Sequence, residues 1–197
     1  MSGMGPVTDV ERCSWCLGDP LYIEYHDLEW GIPEWDDQRL FAKLILDGAQ
    51  AGLSWLTILR KRSGYYRAFD GLDPHRIAAY DDDKIARLLG DPGIVRNRAK
   101  VRSTVTNARA YLDLAERGER FGEFLWGFVA GRTLQNTWTR LDQIPAETGE
   151  SRAMSKALKQ AGFRFVGPTI CYAFMQAVGM VNDHLVSCFR HRALADV

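Results

Sequence analysis

The sequence predicts an all-α fold. Apolar residues recur at helical spacing along most of the chain, strand-like alternation is nearly absent, and the recurring segments are bracketed by capping residues, prolines and glycines. Leu40, Phe41, Leu44 and Ile45 form the first strong stripe, behind Asp36 and Asp37, whose carboxylates suit a helix start. Asp73-Pro74 pairs an N-cap with proline at the first helical position. Residues 83–89 make a short helix, Gly90-Asp91-Pro92-Gly93 bends the chain, and 94–114 is long enough for a second helix. Phe124, Leu125, Phe128 and Val129 form another stripe. Ser151 offers a cap for a helix ending near Gly162, and Gly167-Pro168 opens a run carrying Ile170, Phe174, Ala177 and Val178 up to Gly179. Between them, 131–150 reads as loop, with Gly131, Pro145 and Gly149.

With 197 residues, 46% of them hydrophobic, the chain can bury a substantial core as a single globular unit over 1–197, or as two small lobes sharing one. Residues 1–12 are polar and no run of eighteen apolar residues occurs, so neither a secretory signal nor a membrane span is expected. The expectation is a cytoplasmic monomer with reduced thiols, in which four cysteines mean metal binding or plain burial more than a disulfide framework. Net charge is zero but uneven: residues 1–50 hold ten acids and three bases, whereas 151–197 hold six bases and two acids. Arg96, Arg98, Lys100, Arg102 and Arg109 follow one another with no acid between them, which is either a nucleic-acid-facing stripe or a solvated helix face.

Two cysteine–histidine pairs stand at opposite ends, Cys13 with His26 and His184 with Cys188. His184 and Cys188 are four apart, which on a helix puts both on one face. Two thiolates and two imidazoles would fill a tetrahedral zinc site and leave no position for a reactive water, a structural staple requiring segments 13–26 and 184–188 to meet. The bland alternative is four unrelated residues. Cys13-Ser14-Trp15-Cys16 also has the spacing of a redox pair, although no βαβ pattern surrounds it.

The helix–turn–helix over 83–114 has a second reading. Gly90 and Gly93 permit a tight bend, amides at the start of the second helix could receive an anion, and Arg96, Arg98 and Lys100 follow directly. That outlines a phosphate clamp; the alternative is an ordinary αα-hairpin.

Several long tracts occur in an order that resembles the DNA-3-methyladenine glycosylase I family. They are Glu11-Arg12-Cys13-Ser14-Trp15, Asp19-Pro20-Leu21-Tyr22-Ile23-Glu24-Tyr25-His26-Asp27-Leu28-Glu29-Trp30-Gly31, Gln50-Ala51-Gly52-Leu53-Ser54-Trp55, and Gly162-Phe163-Arg164-Phe165-Val166-Gly167 through Asn182-Asp183-His184. The resemblance spans nearly the whole chain. It implies a helix-hairpin-helix base-excision glycosylase acting on alkylated double-stranded DNA, with one structural zinc on Cys13, His26, His184 and Cys188. It further implies a base pocket of Asp47, Trp15, Tyr22, Tyr25 and Trp55, in which an extruded, positively charged 3-methyladenine is stacked and read by a carboxylate. Taken without the resemblance, those aromatic residues read as core packing.

Two departures from the family pattern stand out. Asp47 occupies a place where the family typically carries glutamate, one methylene longer. Val181-Asn182-Asp183-His184 resembles a Val-Asp-x-His tract that carries a catalytic aspartate in the wider superfamily, with an amide in that slot; this leaves Asp183 as a candidate for directing water or for orienting a metal ligand. Three functions compete: a monofunctional 3-methyladenine glycosylase, a zinc-stabilised DNA-binding module without catalysis, and a thiol oxidoreductase using Cys13 and Cys16.

Overall fold

A computed structural model describes residues 10–195 of the chain; most of the polar N-terminal stretch weighed above as a signal lies outside them. Among the described residues ten α-helices run in order: α1 (Pro20–Leu28), α2 (Asp37–Gln50), α3 (Trp55–Ala68), α4 (Pro74–Ala78), α5 (Asp82–Gly90), α6 (Arg98–Glu116), α7 (Phe121–Trp126), α8 (Gly149–Gln160), α9 (Pro168–Ala177) and α10 (Phe189–Ala193). The strands among the described residues are two two-residue pieces, β1 (Leu134–Gln135) and β2 (Val181–Asn182), paired in parallel with Leu134 opposite Val181. No helix among the described residues is long and apolar enough to cross a membrane.

Helix α2 is the hub. It starts where the two aspartates predicted, with the Asp36 side chain accepting from Arg39 N, while Asp37 Oδ1 accepts from Gly122 N at the head of α7. Leu40, Phe41, Leu44, Ile45, Leu46 and Ala49 are all buried, and the helix packs against α3, α6, α7 and α9. A helix buried nearly all round admits a charge only where something answers it, and Asp47 is the one acid in its buried stretch. Gly48 does not end the helix. A Cβ there would come within 3.3 Å of Phe165, so its glycine serves close packing.

Other boundaries shift for local reasons. Asp73 caps α4, with Pro74 at the first position as expected, whereas Thr148, not Ser151, caps α8; Ser151 is the third residue of a reciprocal capping box. The apolar stripe at 124–129 is broken, α7 giving way to a 3-10 turn at Gly127–Val129. The second helix of the hairpin begins at Arg98, not at Ile94: Ile94 is buried, Asp91 Oδ1 accepts from Gly93 N, and Asn97 Oδ1 accepts from Lys100 N as the new N-cap. The bend is pinned to α3, since Lys61 Nζ donates to Pro92 O, Val95 N donates to Tyr65 Oη, and a Cβ on Gly64 would lie 2.3 Å from Gly93 O.

Candidate active site and cysteine–histidine cluster

Asp47, Trp15, Tyr22, Tyr25 and Trp55 line one cleft of about 210 Å³, together with Trp30, Lys43, Gln50, Ile144 and Gln176. The residues come from a 3-10 turn at Ser14–Cys16, from α1 and the turn that follows it, from α2, α3 and α9, and from the loop before α8. Trp15 meets Tyr22 and Trp30 edge-on, with centroids 4.9 and 5.0 Å apart. Tyr25 and Trp55 touch each other at 5.4 Å, too close to admit a ring between them, so they form one wall. Burial, reinforced by the Asp47 charge, holds the Tyr25 phenol well above its usual range, which keeps it a neutral group.

Asp47 is 2% exposed and its two oxygens differ. Oδ1 accepts a 2.5 Å hydrogen bond from Lys43 Nζ, one helical turn earlier, whereas Oδ2 is buried with no partner. Trp55 Nε1 is a second buried polar atom with no partner. Burial pushes the Asp47 carboxyl up and the Lys43 ammonium down, each opposed by the other's charge, and the short contact marks the two as an ion pair. Lys43 also lies over the Trp55 ring, Nζ 4.0 Å from its centroid. The sequence reading missed Lys43 although its signal was present, a lysine four residues before an aspartate on a predicted helix.

Behind Trp30, Cys13, His26, His184 and Cys188 converge, all four buried and with their ligand atoms within 4.8 Å of one another. His26 Nε2 stands 3.4 Å from Cys188 Sγ, and His184 Nδ1 stands 3.6 and 3.7 Å from the Sγ atoms of Cys188 and Cys13. The opposite ring nitrogens are both held: His26 Nδ1 donates to Asp27 Oδ1, itself bound by Arg12, and His184 Nε2 donates to Trp30 O. Leu185 N points at Cys13 Sγ. One expectation is corrected. His184 and Cys188 do not share a helical face: His184 sits in a loop after β2, and Cys188 precedes α10 as its N-cap. Cys16 lies outside the cluster, its Sγ donating to Cys13 O, and burial pushes its thiol up to about 11, the reverse of what a reactive redox cysteine needs.

Asp183 and Asn182 are absorbed by the frame. Asp183 accepts four hydrogen bonds, from Asn136 Nδ2, Trp138 Nε1, Tyr172 Oη and Gln176 Nε2, at 2.6 to 2.8 Å. It is 1% exposed and does not line the cleft, so it has no oxygen left to direct a water. Asn182 donates to Gln135 Oε1 and His191 O and accepts from His184 N, which fixes the loop carrying His184. On the hairpin, Gly90 is the last residue of α5 and Gly93 lies in the bend, while Arg96 and Arg98 are exposed. Lys100 departs from expectation. Its ammonium donates to Ala49 O and Ala51 O at 2.8 and 2.6 Å, tying the hairpin to the end of α2.

A helical protein with an aromatic cleft, one buried unsatisfied carboxylate oxygen and one buried unsatisfied indole N–H is built to take a flat, hydrogen-bonding ring. Comparison with known proteins agrees. The methyladenine glycosylase family model matches residues 15–191. DNA-3-methyladenine glycosylase 1 of Escherichia coli (strain K12) is 51% identical over 179 residues, covering 91% of this chain and 96% of that protein. The Haemophilus influenzae DNA-3-methyladenine glycosylase is 48% identical over 177 residues, covering 90% and 96%. A crystal structure of 3-methyladenine DNA glycosylase I aligns with a TM-score of 0.90 at 51% identity, over 91% of this chain and 98% of that one. A Staphylococcus aureus structure on 3-methyladenine recognition aligns at 0.88 and 36% identity, over 90% and 95%. The chain belongs to the methyladenine glycosylase family. It is a monofunctional glycosylase that hydrolyses an N-glycosidic bond.

Proposed function

We propose that the enzyme draws a 3-methyladenine nucleotide out of alkylated duplex DNA into the aromatic cleft and hydrolyses its glycosidic bond, leaving an abasic site for base-excision repair. The observation that carries this reading is the buried, partnerless Asp47 Oδ2 facing a cleft walled by Trp15, Tyr22, Tyr25 and Trp55. An extruded base supplies ring faces for the walls and an amino group for the carboxylate. Ordinary glycosidases pair an acid for the leaving group with a second carboxylate, yet Asp47 is the one acid among the residues lining the cleft. Alkylation at ring nitrogen resolves this. The base is already cationic, leaves as a neutral molecule and needs no proton donor, so the protein's work is to hold the flipped nucleotide and admit water to the sugar.

In the same reading α5, the bend and α6 are a helix-hairpin-helix that grips phosphates through Arg96 and Arg98 beside Gly90 and Gly93. Both arginines are exposed and carry no ion pair among the described residues. Lys100 joins that grip to the cleft by holding the carbonyls of Ala49 and Ala51, at the end of the helix that bears Asp47. The enzyme acts as a monomer.

The donor set of Cys13, His26, His184 and Cys188 fits zinc. Tetrahedral bonds of about 2.0–2.3 Å demand ligand atoms roughly 3.3–3.8 Å apart, and the three S···N separations given above, 3.4 to 3.7 Å, lie in that range. Both imidazoles already turn the correct nitrogen inward. Four protein ligands leave no place for water, so zinc would staple the two ends of the fold and supply no chemistry to the cleft.

Incubation with methylated duplex DNA tests the function. Free 3-methyladenine should appear in solution, with abasic sites in equal number. Tight binding without base release would instead favour a DNA-binding module lacking catalysis.

A further inference from the structure

We propose that Lys43 is a specificity-determining residue of the base cleft: with Asp47 it presents a donor–acceptor pair to the edge of the bound base, and it cancels the negative charge that would otherwise select a cationic purine. The inference rests on the cleft being the base site and adds how that site discriminates.

Three observations support it. Lys43 and Asp47 lie one turn apart on α2 and both line the cleft, so the lysine belongs to the site and not to the surface behind it. Nζ spends one donor on Asp47 Oδ1 and stands 4.0 Å from the centroid of Trp55. The ring face where a positively charged base would gain cation–π attraction is thus already facing a resident cation. Finally, Asp47 keeps Oδ2 free and buried beside an ammonium with donors to spare. A carboxylate alone can only accept; this pair both accepts and donates. Its complement is an edge that sets a donor beside an acceptor, as adenine does with its amino group and N7.

Net charge follows from the same geometry. One carboxylate and one ammonium, with no other charged side chain among the residues lining the cleft, leave the site neutral. A neutral site reads shape and hydrogen-bonding pattern, and its preference for a cation over its neutral analogue is weak.

Binding of two probes to the full-length protein separates these effects: free 3-methyladenine, which is neutral, and 3,9-dimethyladeninium, a fixed cation, each followed by tryptophan fluorescence. Lys43→Met removes both charge and donor, and should raise the cation-to-neutral affinity ratio at least ~tenfold while weakening 3-methyladenine itself. Lys43→Gln keeps a donor without charge; it should raise the ratio similarly but hold 3-methyladenine affinity within about threefold. Thermal melting confirms that each variant is folded. A ratio unchanged within about twofold in both folded variants overturns the assignment of Lys43 while leaving the base site standing. Failure of the unmodified protein to bind either probe saturably overturns the base site and this inference with it.

Discussion

Trp30 has the cysteine–histidine cluster on one side and the aromatic cleft on the other, and the two are built by opposite rules. Its carbonyl holds His184 and its ring lines the cleft. In the cluster three of the four inward-facing groups have support from a second layer: Asp27 and Arg12 behind His26, Trp30 O behind His184, Leu185 N at Cys13. In the cleft the second layer is missing where a ligand would sit. Of the three buried side-chain polar atoms without a partner among the described residues, two, Asp47 Oδ2 and Trp55 Nε1, belong to it. Folding seldom tolerates such atoms because each costs about 1–3 kcal/mol. Their concentration in one cleft is what the proposed base site would need, groups left for a bound base to satisfy.

Breaking the closed site should cost the most. His184→Ala removes one of four proposed metal ligands and opens the contact between the chain ends; we expect loss of bound zinc and about 4 kcal/mol or more of stability. For a chain of this length that is a fall in Tm of roughly 10 °C, measurable by calorimetry alongside metal analysis. Full zinc content and an unchanged melt would remove the staple from the account. A gentler change sharpens the point. Asp27→Asn keeps all four ligands and weakens only the support of His26, so zinc affinity should drop about 10–100-fold in a chelator competition, with base release intact once metal is saturating.

The open site should behave the other way round. Asp47→Asn keeps an acceptor for Lys43 but removes the anion; kcat/KM for 3-methyladenine release should fall on the order of 10–100-fold, while zinc content stays that of the unmodified enzyme and Tm falls only by what the loss of the Lys43 counter-charge accounts for. Equal losses of stability and activity would make Asp47 a packing residue.

A third pair, belonging to neither region, gives the baseline. The Tyr80 hydroxyl, 2.5 Å away, and then Lys84 hold the Asp70 carboxyl below its usual range. A lowered carboxyl pKa contributes stability above the unfolded value of about 3.9 and loses it as pH falls through the folded value. Asp70→Asn should therefore destabilise the fold near pH ~7 by less than about 1 kcal/mol, because the site is partly exposed, seen as a slight fall in Tm, and leave Tm unchanged near pH ~2. A larger effect at acid pH than at neutral would reverse the sign and contradict the geometry.

Local signals in the sequence were legible where local physics decides. Asp36 and Asp73 cap the helices their positions announced, and the aromatic set and the two cysteine–histidine pairs each assemble in space. What was not legible depended on distant partners. The i, i+4 spacing of His184 and Cys188 suggested a helix, yet the β1–β2 pairing and the Asn182 side chain impose a loop there. Lys100 read as a phosphate contact, because nothing local reveals that the carbonyls of Ala49 and Ala51 would claim it. Asp183 read as a candidate catalyst for the same reason, since its four donors come from the loop after β1, through Asn136 and Trp138, and from α9, through Tyr172 and Gln176. Lys43 is the exception: its tie to Asp47 is local and was open to a reader of helix faces.

The proposed site for the alkylated base is the cleft between Trp15 and Trp55, and the six tryptophans offer a direct test. In a ¹⁵N-resolved titration of the indole N–H signals with free 3-methyladenine, the resonances of Trp55, Trp15 and Trp30 should move saturably and together. Those of Trp126 and Trp138, whose Nε1 atoms are already bonded to Glu34 O and Asp183, should stay in place. Saturable shifts at Trp126 or Trp138 with Trp55 unmoved would put the base elsewhere and contradict the account.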